Sequence, residues 1–106
     1  MSALVRRQGG TNDALPAHWR HRLPNPARYY TQQIAKLSAP NGHGYATGLC
    51  PFHEDHTPSF GVKLTSERGL WRCYAGCGHG DLVAFHQQRM SLDFKAAVRD
   101  LLGLSP

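Results

Sequence analysis

The chain has 106 residues, a formal net charge of +5 and three cysteines, which bounds it to one small domain with a modest core and leaves no room for a second, catalytic domain. No stretch of eighteen apolar residues occurs and no apolar run follows the arginines of the opening MSALVRRQGG, so neither a membrane span nor a secretory signal is expected, and the chain is placed in the cytoplasm. An odd cysteine count argues against a closed disulfide framework and suits reduced thiols available to a metal.

Charge is unevenly spread: residues 1–36 hold six Lys/Arg and one Asp, whereas residues 37–106 hold six of each sign. Residues 1–26, with Gly9-Gly10, Thr11-Asn12-Asp13 and the prolines Pro16, Pro24 and Pro26, read as a flexible basic arm. Arg6, Arg7, Arg20 and Arg22 are candidates for phosphate contacts, the plain alternative being a solvated tail. Residues 27–106 read as the folded domain. From Ala27 to Leu37 the apolar positions Tyr30, Ile34 and Leu37 recur at helical spacing, and the breakers of SAPNGHG end that helix. YATGLC is a strand that delivers Cys50, and the turn from Glu54 to Pro58 leads into SFGVKL, whose Phe60, Val62 and Leu64 alternate. LWRCY is its returning partner. After AGCGHG, Asp81 caps a helix reaching Met90, with His86 on its apolar side as a packed residue. Ser91 is the expected cap of a last helix, in which Phe94, Ala97, Val98, Leu101 and Leu102 form one stripe before Gly103 stops it. The class is α+β, a small antiparallel sheet flanked by helices.

Cys50 and His53 make one knuckle-spaced pair, Cys73 and Cys77 another, and nineteen residues lie between the pairs, enough for a strand, a turn and a returning strand. That is zinc-ribbon spacing, and three thiolates with one imidazole form a donor set that Zn²⁺ prefers. The competing reading makes the cysteines small buried hydrophobes and His53 a surface residue. A catalytic zinc is not expected: His53-Glu54-Asp55-His56 is too short for H-E-x-x-H, and Asp55 stands where the zinc deaminases need Glu.

These residues resemble the Cys-His-Cys-Cys zinc finger of bacterial and phage DNA primases of the DnaG type. GLCPFHEDHTPSF matches the first knuckle, LWRCYAGCGHGDLVAF the second knuckle and its helix, and SLDFKAAVRDLLG the closing helix. The resemblance implies a zinc ribbon with Cys50, His53, Cys73 and Cys77 as ligands, a role in engaging single-stranded template DNA, and a separate polymerase or helicase partner. The second knuckle holds one residue more than the family's usual Cys-x-x-Cys. Cys77 remains the expected ligand, with His79 the one close substitute.

Single-strand binding needs stacking platforms and a basic groove. Lys63, Arg68, Arg72 and Tyr74 are the expected DNA contacts, Trp71 is divided between contact and core, and Phe60 is assigned to the core. His56 lines the turn. The expected function is a stand-alone primase-type module serving replication, with a plasmid or other mobile element as a suggested setting and no catalytic centre of its own in this chain. The rival is a zinc-stabilised protein-interaction module that does not touch DNA.

Overall fold

The computed structural model describes residues 15–54 and 56–104. A 3-10 turn, η1 (Trp19–Arg22), leads into helix α1 (Pro26–Gln33). Strands β1 (Tyr45–Gly48), β2 (Phe60–Lys63), β3 (Trp71–Cys73) and β4 (Gly78–Gly80) follow, and helices α2 (Leu82–Met90) and α3 (Phe94–Leu101) close the fold. The strands form one antiparallel sheet in the order β1-β2-β3-β4. This is the α+β zinc-ribbon architecture expected from the sequence. No helix among the described residues is long and apolar enough to cross a membrane.

Strand periodicity sorts the side chains by face. Ala46, Phe60, Val62, Trp71 and Cys73 are buried on the helix side. Phe85 of α2 sits at the centre of an aromatic cluster, with ring centroids 5.1 Å from Tyr30, 5.2 Å from Phe52, 5.5 Å from Phe60 and 5.7 Å from Trp71. A second core lies between α2 and α3, where Val83, Ala97 and Val98 are joined by Leu15, Trp19 and Leu23. The part of the expected arm that the structure describes is therefore folded, because three apolar residues before α1 find a partner surface on α3. Arg6 and Arg7 lie outside the described residues.

Local chemistry explains the boundaries. Asn25 caps α1 by accepting from Arg28 N–H, with Pro26 at the first helical position. The helix stops at Ile34, earlier than its periodicity suggests, and the chain bends back to cover the free edge of β1. There Ser38 N–H donates to Thr47 O at 2.8 Å, Asn41 N–H to Tyr45 O at 2.8 Å, and Leu49 N–H to Ala35 O at 3.0 Å. That strap satisfies backbone groups an open edge would expose. Asp81 and Asp93 cap α2 and α3 by accepting from Ala84 N–H and Ala96 N–H. Ser91, expected as the cap of α3, instead ends α2 in the left-handed region at φ 57°. β4 is an addition to the sequence reading, since Gly-His-Gly carries no strand propensity and is held by pairing to β3 and by close packing of Gly80 against Ala84 of α2.

Candidate metal centre and sheet face

The register brings the two knuckles to one end of the sheet. Gly48 pairs with Phe60, Phe60 with Cys73, and Cys73 with Gly78, so the loop that follows β1 and the turn that follows β3 leave the sheet at one row. The ladder continues one step further, where Tyr74 N–H donates to Ser59 O at 2.7 Å. In the second knuckle Gly76 takes φ 98°, a left-handed turn position that a side chain would strain. That turn absorbs the extra residue between Cys73 and Cys77.

The ligand atoms of Cys50, His53, Cys73 and Cys77 all lie within 4.8 Å of one another. Zinc–sulfur and zinc–nitrogen bonds of about 2.3 and 2.0 Å need donor atoms of a tetrahedral site to be under about 4 Å apart, and His53 Nε2 stands 3.6 Å from Cys73 Sγ. The cluster thus fits a single tetrahedral cation with a small contraction. The backbone next to His53 orients its ring for ligation, since Nδ1–H donates to Glu54 O at 2.8 Å and the Nε2 lone pair is left facing the thiols. Phe52 N–H points at Cys50 Sγ at 3.5 Å, and Ser59 Oγ lies 3.9 Å from Cys73 Sγ.

The thiols differ in acidity. Burial is the largest influence on Cys73 and opposes its ionisation, yet hydrogen bonds from the backbone of Cys77 and Ala75 and from the other two thiols together pull it down to about 6. Burial first, then the neighbouring Cys73 thiolate, pushes Cys50 up to about 12. One negative charge is therefore already favoured at the centre at neutral pH, and a cation that binds there displaces the remaining protons.

His79 is not part of this cluster. It is exposed on β4 opposite Arg72, on the outer face of the sheet. Lys63, Arg72 and Tyr74 share that face with Tyr45 and Thr47. The Lys63 ammonium sits 5.6 Å from the Tyr45 ring centroid and the Arg72 guanidinium 5.4 Å from that of Tyr74. Tyr74 is 67% exposed and lies across Gly61, where an added Cβ would come within 3.1 Å of the ring. Among the described residues, no strand position carries a carboxylate. Trp71, by contrast, is 4% exposed and donates its Nε1–H to Asp81 O at 2.9 Å, so it belongs to the core and offers no free stacking face. Phe60 is fully buried, as expected. Arg68 stands apart from the sheet face, on the turn before β3, with its guanidinium 3.8 Å from the Asp81 carboxylate. His56 is exposed, 3.5 Å from Glu54. Tyr45, Thr47 and His79 were not singled out by the sequence as members of this face. The alternation of YATG could have suggested the first two, whereas His79 depended on a strand that the sequence does not announce.

Comparison with known proteins agrees with this geometry. The model of the CHC2 zinc finger family, the zinc ribbon of DnaG, matches residues 31–105, and the chain belongs to that family. Among curated proteins it is similar to the DNA primase of Deinococcus radiodurans, 44% identical over 62 residues that make up 58% of this chain and 10% of the primase. It is also similar to the DNA primase of Lactococcus lactis, 44% identical over 55 residues, 51% of this chain and 8% of that protein. The DNA primase of Chlamydia trachomatis is 48% identical over 50 residues, 46% and 8% of the respective chains. The matched segment thus corresponds to a tenth or less of these relatives.

Proposed function

We propose that Cys50, His53, Cys73 and Cys77 hold one structural Zn²⁺ and that the outer face of the sheet binds single-stranded DNA, making this a template-engaging module of a primase system in the reducing cytoplasm. The observation that carries the reading is the sheet face itself, where two tyrosines each sit beside a cation and, among the described residues, no strand position carries a carboxylate. Exposed rings stack on bases of any sequence, and the flanking cations meet the phosphates. Tyr45 pairs with Lys63 from β1, whereas Tyr74 continues β3 opposite Ser59 and lays its ring across Gly61, so the two rings stand at different points along the same face.

Bound zinc would close both knuckles and contribute folding free energy on the order of 10 kcal/mol. Primer synthesis belongs to a polymerase partner, with a replicative helicase as a further candidate, and the family's primases motivate both expectations. Balanced charge over residues 37–106, six of each sign, favours the second reading, a protein-interaction module.

The deciding experiment is fluorescence anisotropy with labelled single- and double-stranded DNA across a salt series, on protein with quantified zinc. Tighter, salt-sensitive binding to the single strand at one zinc per chain is expected, as is primer synthesis that depends on this protein when a partner polymerase is supplied. Full zinc occupancy without DNA binding at low salt sinks the proposal in favour of the interaction module.

A further inference from the structure

Away from the sheet face, a cavity of about 600 Å³ opens between η1, the turn before β3 and the first residues of α2 and α3. Small-molecule sites commonly span about 300–1,000 Å³. Part of this one is built by residues 19–26, which precede the segment matched by the family model, so the site is a feature of this chain beyond the shared zinc ribbon.

Its lining is ordered by depth. Buried Pro26 and Val83, with half-buried Leu23, supply apolar wall. Phe94 remains 43% exposed, its ring set edge-to-face with Trp19 at 5.6 Å. The deepest charged group is Asp81, whose side chain is 34% exposed against 74% for Arg68. Asp81 Oδ1 already accepts from Ala84 N–H at 2.8 Å, while Oδ2 lies 3.8 Å from Arg68, beyond hydrogen-bonding reach. At the mouth stand Arg68, His21 and Arg20, the last with its guanidinium 4.5 Å over the Trp19 ring. Glu67 offsets one of the two arginine charges there.

A ligand that satisfies all of this is flat and apolar in its middle, presents an N–H donor at depth and carries an anion at its outer end. We propose that the cavity binds a nucleotide whose base bears an exocyclic amino group. The base lies against Phe94 and the apolar wall, the amino group donates to Asp81 Oδ2, and the phosphate meets Arg20 and Arg68. Cytosine, adenine and guanine all carry such an amino group; where cytosine has its N4 amino group thymine presents a carbonyl oxygen. This site is separate from the sheet face and does not depend on DNA binding there.

The test titrates the zinc-loaded full chain with dCMP, dAMP and TMP at low salt, monitored by ¹H–¹⁵N NMR and by fluorescence of Trp19. Saturable shifts in residues 19–23, 81–83 and 94 are expected with dCMP and dAMP, and TMP should bind more weakly by about threefold to tenfold, the equivalent of one hydrogen bond. Phe94→Ala should weaken dCMP binding and leave single-stranded DNA anisotropy unchanged. Asp81→Asn keeps the helix cap but turns a donor into the cavity, so it should erase the preference for dCMP over TMP. No saturable shift with any of the three nucleotides up to about 10 mM, where even weak specific sites fill, overturns the proposal. So do shifts confined to Tyr45, Tyr74 and their neighbours, and so does a cavity that nucleotides leave untouched while an apolar peptide fills it.

Discussion

His53 and His86 show how a ring's neighbours decide its use. The Glu54 carbonyl takes the Nδ1 proton of His53, leaving Nε2 as a donor atom toward the thiols. In His86, Nε2–H donates to Asp100 Oδ2 at 2.6 Å and Nδ1 accepts from Tyr29 O–H at 2.6 Å. That ring is buried and serves as a hydrogen-bonded pin joining α1, α2 and α3. Asp100→Ala leaves the Nε2–H of the buried His86 ring without its acceptor and is expected to cost about 1 kcal/mol, read as a lowered denaturant midpoint with unchanged zinc content. At the metal centre, Cys77→Ala should abolish stoichiometric zinc and with it much of the fold, whereas His79→Ala should retain one zinc per chain. Inductively coupled plasma mass spectrometry on both variants separates them, and zinc loss in His79→Ala would transfer the fourth ligand to β4.

Among the elements, β2 carries the two sides of the molecule on alternate residues. Phe60 and Val62 point into the core, while Gly61 and Lys63 form the floor of the outer face. Tyr74 leaves too much surface exposed to matter much to the core, so Tyr74→Ala should fold normally and weaken single-strand binding by roughly 1–3 kcal/mol, one base stack. Gly61→Ala tests the platform without substituting either aromatic residue: the new methyl would come to 3.1 Å from the Tyr74 ring and push it from its seat, and a loss of affinity in anisotropy, with an unchanged melting temperature, is the expected result. Sequence reading located both faces of β2 and β3 because strand alternation has a strict period of two. It overran α1 because Leu37 continues the helical period, although the strap from Ala35 to Asn41 is needed at the β1 edge instead. It missed β4 because a Gly-His-Gly segment becomes a strand only when a neighbour offers it a ladder.

For the molecule as a whole, the small core makes stability depend on the clamp and on buried tyrosines. Chelating the metal should lower the melting temperature strongly and cooperatively, as calorimetry would register, because both knuckles and the hairpins that carry them lose their common tie. Burial holds the phenols of Tyr29 and Tyr30 well above the ordinary tyrosine value; the Arg89 cation opposes it at Tyr29, while Asp100 at Tyr29 and Asp81 at Tyr30 push the same way as burial. The folded state therefore keeps protons that the unfolded chain releases above about pH 10, so the tyrosine contribution is complete below that pH and falls as pH rises beyond it. Melting temperatures measured from about pH 8 to about pH 11 should hold steady and then drop. A flat profile would mean that the two rings are not sealed from solvent.

The residues alone determined the α+β class, the two knuckles and their donor set, the core role of Phe60 and the pairing of β2 with β3, because each depends on short-range spacing and strand or helix period. Tertiary structure decided the rest. It drew Trp71 into the core through its indole N–H, set His79 on the sheet face apart from the cluster of Cys50, His53, Cys73 and Cys77, and separated Arg68 from Lys63, Arg72 and Tyr74. It also folded residues 15–23 onto α3, where apolar side chains too sparse to show a period found a surface to bury against.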